Sequence, residues 1–257
     1  MRRTTLAAVC LAAAATLGLT ACGTESGGAT TAKDKPAVQP KKEAGPFPGL
    51  SGPDIVDKAV KATTGASSLT VKGEVPDETG NIKLDMALDT KGRCAGTMGM
   101  NGEGSVELIA SASTVYMKYD EEFLRAQSKG EPAADTQAAV DMLADRWAKT
   151  KATGADAKDI AGFCDLDVLL TDFKDVNSPA RKGKTTTVDG TPALMLTERD
   201  GADRYTLYVA TKGKPYLLKV VNETAKKPES LTFTDYEKPV DATPPTGDVV
   251  DIDKLAG

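Results

Sequence analysis

Residues 81–89 read NIKLDMALD, and apolar and polar side chains alternate along most of this stretch. Ile82, Leu84, Met86 and Leu88 fall on one face of an extended chain, whereas a lysine, two aspartates and an alanine fall on the other. A period of two is typical of a strand with one face in a core and the other in solvent. The stretch therefore predicts a half-buried β-strand.

Similar strands are predicted on both sides of this one. They cover residues 69–75, 93–100, 105–110 and 114–119 in a first run, and 184–188, 193–198, 204–210, 216–221 and 230–236 in a second. Short breaks rich in turn-forming residues separate them, as hairpins require. Roughly ten strands in series predict antiparallel pairing, and a sheet this wide is expected to curl.

Helical spacing appears before the first strand and between the two runs. Apolar residues within 55–60, which follow Pro53, predict an amphipathic helix that ends near Gly65. Residues 121–127, 135–147 and 157–173 also have helical spacing. The middle of the chain is therefore predicted to be a helical insertion.

The N-terminus has the layout of an export signal. A positive start is followed by an uncharged segment that is too short to span a bilayer and ends in Leu-Thr-Ala-Cys at residues 19–22. This ending resembles the lipobox of bacterial lipoproteins, in which the cysteine is lipidated and becomes the mature N-terminus. The resemblance implies a signal peptide over 1–21 and lipid attachment at Cys22. A chance cysteine beside an ordinary cleavage site is the alternative, and export by the Sec or the twin-arginine route stays open.

Residues 23–52 are rich in Gly, Thr, Ala, Lys and Pro and nearly free of large apolar side chains. Such a segment cannot bury enough surface to offset its ordering entropy, so 22–52 is predicted to be a flexible tether behind the lipid. The mature chain has 30 basic and 37 acidic residues and a net charge of −7. This balance argues against nucleic acid as a partner.

Cys94 and Cys164 remain when Cys10 leaves with the signal and Cys22 carries the lipid. Two cysteines in an exported domain most simply form one disulfide. The alternative is two unpaired or metal-binding thiols, which the lack of histidine and of any C-x-x-C motif disfavours.

Catalytic signatures are missing from the sequence. Without histidine there is no Ser-His-Asp triad, no Cys-His pair and no histidine metal site. No G-x-S-x-G, S-x-x-K or phosphate-binding glycine motif occurs. We therefore predict no enzyme activity, no catalytic residues, no cofactor and no metal.

Four segments resemble the late strands and closing segment of the LolA-like superfamily, in particular the LppX/LprG-type lipoproteins of actinobacteria. They are DRWAKT at 145–150, VDGTPALMLTE at 188–198, LYVATKGKPYLLKV at 207–220 and FTDYEKPVDATPP at 233–245. The resemblance implies a LolA-like lipid-binding domain over 53–245, followed by a tail over 246–257. It also implies an α+β fold: a curved antiparallel half-barrel of roughly ten strands, with the N-terminal helix and the helical insertion packed on its concave side.

In that family the half-barrel encloses an apolar cavity and carries no catalytic residues, so the resemblance implies a ligand-binding lining. On the strands, the predicted lining is Ile82, Leu84, Met86, Leu88, Val106, Leu108, Val115, Met117, Leu194, Leu196, Tyr205, Leu207, Val209, Leu218, Val220 and Phe233. Val140 and Leu143 are the predicted lid residues. The alternative is that these side chains fill a core and leave no cavity.

The predicted function is that of an exported lipoprotein at the outer face of the cytoplasmic membrane. It would be anchored through Cys22 and would bind or carry a lipid or another amphiphile. The alternative is an envelope sensor or scaffold that binds a protein partner through the same fold.

Overall fold

Twelve strands form the framework of the protein. The computed structural model describes residues 45–77, 80–100, 102–152, 164–171, 179–224 and 229–255. The predicted signal peptide, Cys22 and the tether up to residue 44 lie outside these ranges. The chain divides into two units, 1–43 and 44–257, and every described residue belongs to the second.

The first helix, α1 (Gly52–Thr64), begins and ends where the sequence predicts. Ser51 and Asp54 form a capping box: the Ser51 hydroxyl accepts from the Asp54 N–H at 3.3 Å, and the Asp54 carboxylate accepts from the Ser51 N–H at 2.8 Å. Ile55, Val56 and Ala59 are fully buried. One apolar stripe of α1 is therefore embedded in the core.

All ten predicted strands are confirmed, and two more join them. The strands are β1 (Ser68–Asp77), β2 (Gly80–Asp89), β3 (Cys94–Met100), β4 (Ser105–Ala110), β5 (Thr114–Tyr119), β6 (Trp147–Lys151), β7 (Arg181–Val188), β8 (Thr191–Asp200), β9 (Asp203–Ala210), β10 (Leu217–Asn222), β11 (Glu229–Thr234) and β12 (Val249–Asp251). The additional pair is β6 and β12. The strand order across the sheet is β12-β6-β5-β4-β3-β2-β1-β11-β10-β9-β8-β7.

The sheet is a curved half-barrel, as predicted, and is not closed into a barrel. Neighbouring strands are antiparallel, except that β12 runs parallel to β6. One face of the sheet carries a continuous apolar cluster that includes the buried stripe of α1. We call this concave side the core face and the other side the outer face.

The helical insertion is shorter than predicted. It contains α2 (Glu121–Gln127), α3 (Ala133–Leu143) and α4 (Leu166–Leu169). Trp147, predicted on a helix, instead begins β6. Most of the predicted helix over 157–173 lies outside the described residues. Within the described part of the insertion, α4 reaches the core face, because Leu166 and Leu170 are buried in the main cluster.

The predicted disulfide between Cys94 and Cys164 is present, with its Cα atoms 5.2 Å apart. Both cysteines are completely buried in the main cluster. The bond therefore ties α4 to the start of β3.

The segment predicted as a C-terminal tail contributes to the sheet. β12 pairs with β6, and Asp253 accepts from the Thr150 hydroxyl at 2.9 Å. Arg146 and Asp248 form an ion pair at 2.7 Å. The C-terminal residues therefore cover the edge of β6.

Glu237 joins α1 to the sheet. Its carboxylate accepts from the Ser67 hydroxyl at 2.5 Å, from Lys214 at 2.8 Å and from the Tyr216 hydroxyl at 2.8 Å. These hydrogen bonds, led by the one from Lys214, lower the pKa of Glu237 to about 2. The same region contains Tyr236, whose ring stacks on that of Tyr216 with centroids 3.9 Å apart. The junction after α1 is therefore fixed by charged and aromatic contacts together.

No helix among the described residues is both long and apolar enough to cross a membrane.

Candidate functional site

Cross-strand pairing brings the predicted lining residues onto one face. The register places Met86 opposite Gly96, Gly96 opposite Leu108, and Leu108 opposite Met117. On the other side of the sheet centre, Val71 of β1 lies between Met86 and Phe233. The apolar faces of successive strands therefore form one continuous surface.

One part of this surface is sealed. Helix α1 lies against β7, β9 and β10. Beneath it, Leu196, Val209 and Leu217 are completely buried. These side chains belong to a packed core.

A second part of the core face is partly exposed. It lies near the ends of the strands where the β1–β2 and β3–β4 hairpins turn, and we call it the apolar mouth. Its residues are Ile82, Leu84, Met98, Val106, Tyr205, Val220 and Leu231, all of intermediate exposure. Pairing connects them, because Val106 lies opposite Met98, and Met98 opposite Leu84.

Glycine keeps the core face open between these side chains. Gly73 lies between Leu84 and Leu231 and supplies no side chain to the mouth. It has a φ of +154°, and a Cβ atom at this position would collide with the Ser230 carbonyl oxygen of β11. A strand glycine of this kind marks a place where another backbone approaches closely.

The predicted strand lining divides into three groups. Fully buried in the main cluster are Met86, Leu88, Leu108, Val115, Met117, Leu194, Leu196, Leu207, Val209 and Phe233. Partly exposed at the mouth are Ile82, Leu84, Val106, Tyr205 and Val220. The third group is Leu218 alone, which packs with Ala193 and Ala210 in a second cluster on the outer face.

The placement of Leu218 corrects the simple alternation. The register between β9 and β10 shifts between Leu217 and Lys219. An irregularity of this kind inserts an extra residue and changes which side chains face the core. Leu217 therefore occupies the core-face position that the pattern assigns to Leu218.

The two predicted lid residues differ from the strand lining. Val140 is buried on α3 but lies outside the main cluster, and Leu143 is only partly buried at the end of α3. The described contacts thus do not join them to the core face.

Several core-face residues were missed. Leu69 and Val71 alternate within β1, and Leu231 precedes Phe233 by two residues, so a stricter use of the same period finds them. Met98 is followed by Gly99, and Gly96 two residues earlier supplies no side chain to the same face, so the apolar alternation of β3 is weak. The core-face position of Leu217 could not be predicted without knowing the register shift.

Acidic groups line one corner of the mouth. Glu198 of β8 lies directly opposite Tyr205 of β9. Burial raises the pKa of Glu198, and the neighbouring Asp200 raises it further. Burial likewise raises the pKa of Tyr205. This corner combines an apolar surface with a carboxyl group that is harder to ionise than usual.

Among the residues that the structure describes, no three carboxylate or thiol side chains come together as a metal site would require.

No protein-family model matches the sequence. No curated protein matches it either. Among solved structures, LprF from Mycobacterium bovis is similar over 76% of this chain and 97% of its own, with a TM-score of 0.52 and 14% identity. Lipoprotein LppX from Mycobacterium tuberculosis is matched over 74% of this chain and 96% of its own, at 15% identity and a TM-score of 0.45. A chain of the Pseudomonas aeruginosa MucA/MucB complex is matched over 76% of this chain and 61% of its own, with 14% identity and a TM-score of 0.33.

Of these, the match to LprF carries weight, and at 14% identity it concerns the fold alone. The first helix and the curved sheet with its apolar concave face are features that the resemblance in sequence predicts. The chain therefore has the same fold as LprF.

Proposed function

We propose that the protein is a membrane-anchored lipoprotein that binds an amphiphile, such as a lipid, at the apolar mouth. The observation that carries this proposal is the partly exposed apolar surface that lies beside the buried main cluster on the concave face of the sheet. A protein that needs only a stable core gains nothing from leaving these side chains in contact with water.

The chemistry of the mouth suits an acyl chain. Leu84, Met98 and Val106 present aliphatic and thioether groups on adjacent strands. Transfer of a methylene group from water to such a surface contributes about 0.8 kcal/mol, so a long chain is held without a specific polar motif. Met98 adds an adaptable side chain that suits ligands of variable shape.

The anchoring part of the proposal rests on the sequence. Lipid attachment at Cys22 would hold the domain at the outer face of the cytoplasmic membrane, and residues 23–44 would form the flexible tether between the lipid and the domain. The described chain begins to pack before the predicted end of the tether, because Phe47 and Leu50 lie against the main cluster. The flexible part is therefore proposed to be shorter than the predicted 22–52.

The proposal is tested by native mass spectrometry of a chain that begins at residue 23 and is purified from its own host. We expect a lipid to copurify with the wild type. We expect Leu84→Trp, which fills the mouth, to lose it. The matched control is Lys83→Trp, one residue away on the outer face and 59% exposed, which should retain the ligand.

Two results would contradict the proposal: a wild-type chain that is consistently empty, or equal lipid occupancy in both tryptophan variants. A protein partner captured from envelope extracts by the wild type and by Leu84→Trp alike would instead support the sensor or scaffold alternative. No step of this test requires catalytic turnover.

A further inference from the structure

Three arginines share a groove on the outer face of β7, β8 and β9. The groove has a volume of about 630 Å³. Its lining residues are Pro179, Arg181, Thr197, Glu198, Arg199 and Arg204. We call it the arginine groove. It lies on the opposite face of the sheet from the apolar mouth.

The strand register fixes the relative positions of the three arginines. Arg199 of β8 lies directly opposite Arg204 of β9, and Arg181 of β7 lies opposite Thr197, two residues before Arg199. Residues directly opposite each other have Cβ atoms about 5 Å apart, and residues two apart on one strand share a face. All three guanidinium groups therefore project from one patch of the sheet.

The arginines of this patch are not neutralised by carboxylates, whereas the other described arginines are. Arg93, Arg125 and Arg146 each have a carboxylate oxygen at 2.7 Å. Within the described part of the chain, the three arginines of the groove form no ion pair. On the outer face of β1 and β2, by contrast, Lys72 pairs with Asp85 at 2.5 Å.

Most of the acidic residues nearest in sequence are directed elsewhere. Asp200 and Asp203 alternate with the arginines along β8 and β9, so strand geometry places them on the core-face side. The same alternation applies to Glu198, which nevertheless also borders the groove. Glu223, after β10, accepts a hydrogen bond from the Thr206 hydroxyl at 2.6 Å. Apart from Glu198, which borders the groove, the hairpin thus separates its charges, with cations on the outer face and carboxylates on the other.

Such an arrangement is unfavourable for an empty protein, because like charges directly opposite each other on adjacent strands destabilise a sheet. An anion bound between the arginines would instead make the arrangement stabilising. The planar guanidinium group matches the oxygens of phosphate with two parallel hydrogen bonds, and several arginines on one patch can surround one such group.

We propose that the arginine groove binds a phosphate group. The group belongs to a soluble phosphate or to the headgroup of an anionic phospholipid, since both present the same oxygens. The inference is independent of the proposed amphiphile at the apolar mouth, because the three arginines lie on the other face of the sheet and none of them lines the mouth.

The test uses a chain of residues 23–257, which keeps the entire described unit and lacks the predicted lipid-attachment residue Cys22. Inorganic phosphate is titrated by calorimetry at constant ionic strength. Flotation with phosphatidylcholine vesicles, with and without phosphatidylglycerol, is the second arm. The groove variant is Arg199→Gln/Arg204→Gln. The matched control is Arg125→Gln/Arg146→Gln, which removes the same charge from other parts of the surface.

We expect saturable phosphate binding by the wild type, a loss of at least about tenfold in the groove variant, and a change within about twofold in the control. Phosphate should also raise the melting temperature of the wild type and the control but not of the groove variant. Groove-dependent flotation only with phosphatidylglycerol would identify a headgroup as the source, and phosphate binding without flotation would identify a soluble phosphate.

Two results would overturn the proposal: a wild type that binds neither inorganic phosphate nor phosphatidylglycerol vesicles, or an equal loss in the groove variant and the control. If the double groove variant fails to fold by circular dichroism, the single variant Arg181→Gln takes its place, with the same expected loss. A failure here leaves the lipid occupancy of the Leu84→Trp and Lys83→Trp pair unaffected, so the two proposals are separable.

Discussion

Removal of the Cys94–Cys164 disulfide should have a large effect on stability. The two cysteines are 70 residues apart in sequence and completely buried. In the chain-entropy model, a cross-link that closes a loop of this length lowers the entropy of the unfolded chain by an amount worth about 4 kcal/mol at 25 °C. Domains unfold with a free energy of only about 5–15 kcal/mol. The double variant Cys94→Ala/Cys164→Ala should therefore lose a large fraction of its stability.

Urea unfolding is the appropriate assay, and Trp147 is a natural probe. It is the one tryptophan of the chain and is partly buried in β6. We expect the free energy of unfolding to fall by about 4 kcal/mol in the double variant. Wild-type protein refolded under reducing conditions should behave in the same way, which separates the loss of the bond from the effect of the alanines.

A decrease below about 1 kcal/mol, with the disulfide verified by mass in the wild type, would refute this reasoning. It would mean that the unfolded chain keeps the two segments close without the bond, so that loop entropy is not the origin of its effect.

Glu237→Gln should lower the free energy of unfolding by about 1 kcal/mol at pH 7, after allowance for a side chain that is 36% exposed. Because folding lowers the pKa of Glu237 from 4.5 to about 2, the stabilisation by its carboxylate is present above about pH 4.5 and disappears as the pH falls towards 2. The melting temperature of the variant should therefore vary less over this pH range than that of the wild type. Gly73→Ala should lower the free energy of unfolding by about 1–3 kcal/mol, measured in urea, because its Cβ would collide with β11; Gly45→Ala, with open space around it, should have no effect. Glu198→Gln should raise the melting temperature at pH 7 but not at pH 3, because a carboxyl group whose pKa is raised from 4.5 on folding destabilises the protein only as the pH rises above this unfolded-state value; a lower melting temperature at pH 7 would contradict this.

The strands were predictable because their sequence period is unambiguous. In residues 81–89, every second side chain is large and apolar, and the structure places this set on the core face of β2. The capped helix α1 was equally clear, since a polar cap, an early proline and one apolar stripe agree at that position. Both are local signals, and tertiary packing reinforces them.

The errors have physical reasons. Trp147 follows Val140 by seven residues, which fits two helical turns as well as a new strand, and short apolar runs do not distinguish these. β12 has three residues and depends on its pairing with β6. Leu218 was misplaced because a register shift is a property of two strands together. The division of the lining into sealed and open parts depends on where α1 docks, which alternation along a strand does not encode.

The half-barrel keeps two free ends. In the described sheet, β7 and β12 each have one strand neighbour. A closed barrel fixes its radius, because strand number and stagger determine it and a wider ring requires broken hydrogen bonds. A twelve-stranded ribbon with open ends can instead tighten or relax its curvature by small changes of twist distributed over many strands. The width of the apolar mouth is thus adjustable at low cost, which would allow the proposed binding site to accept amphiphiles of different sizes.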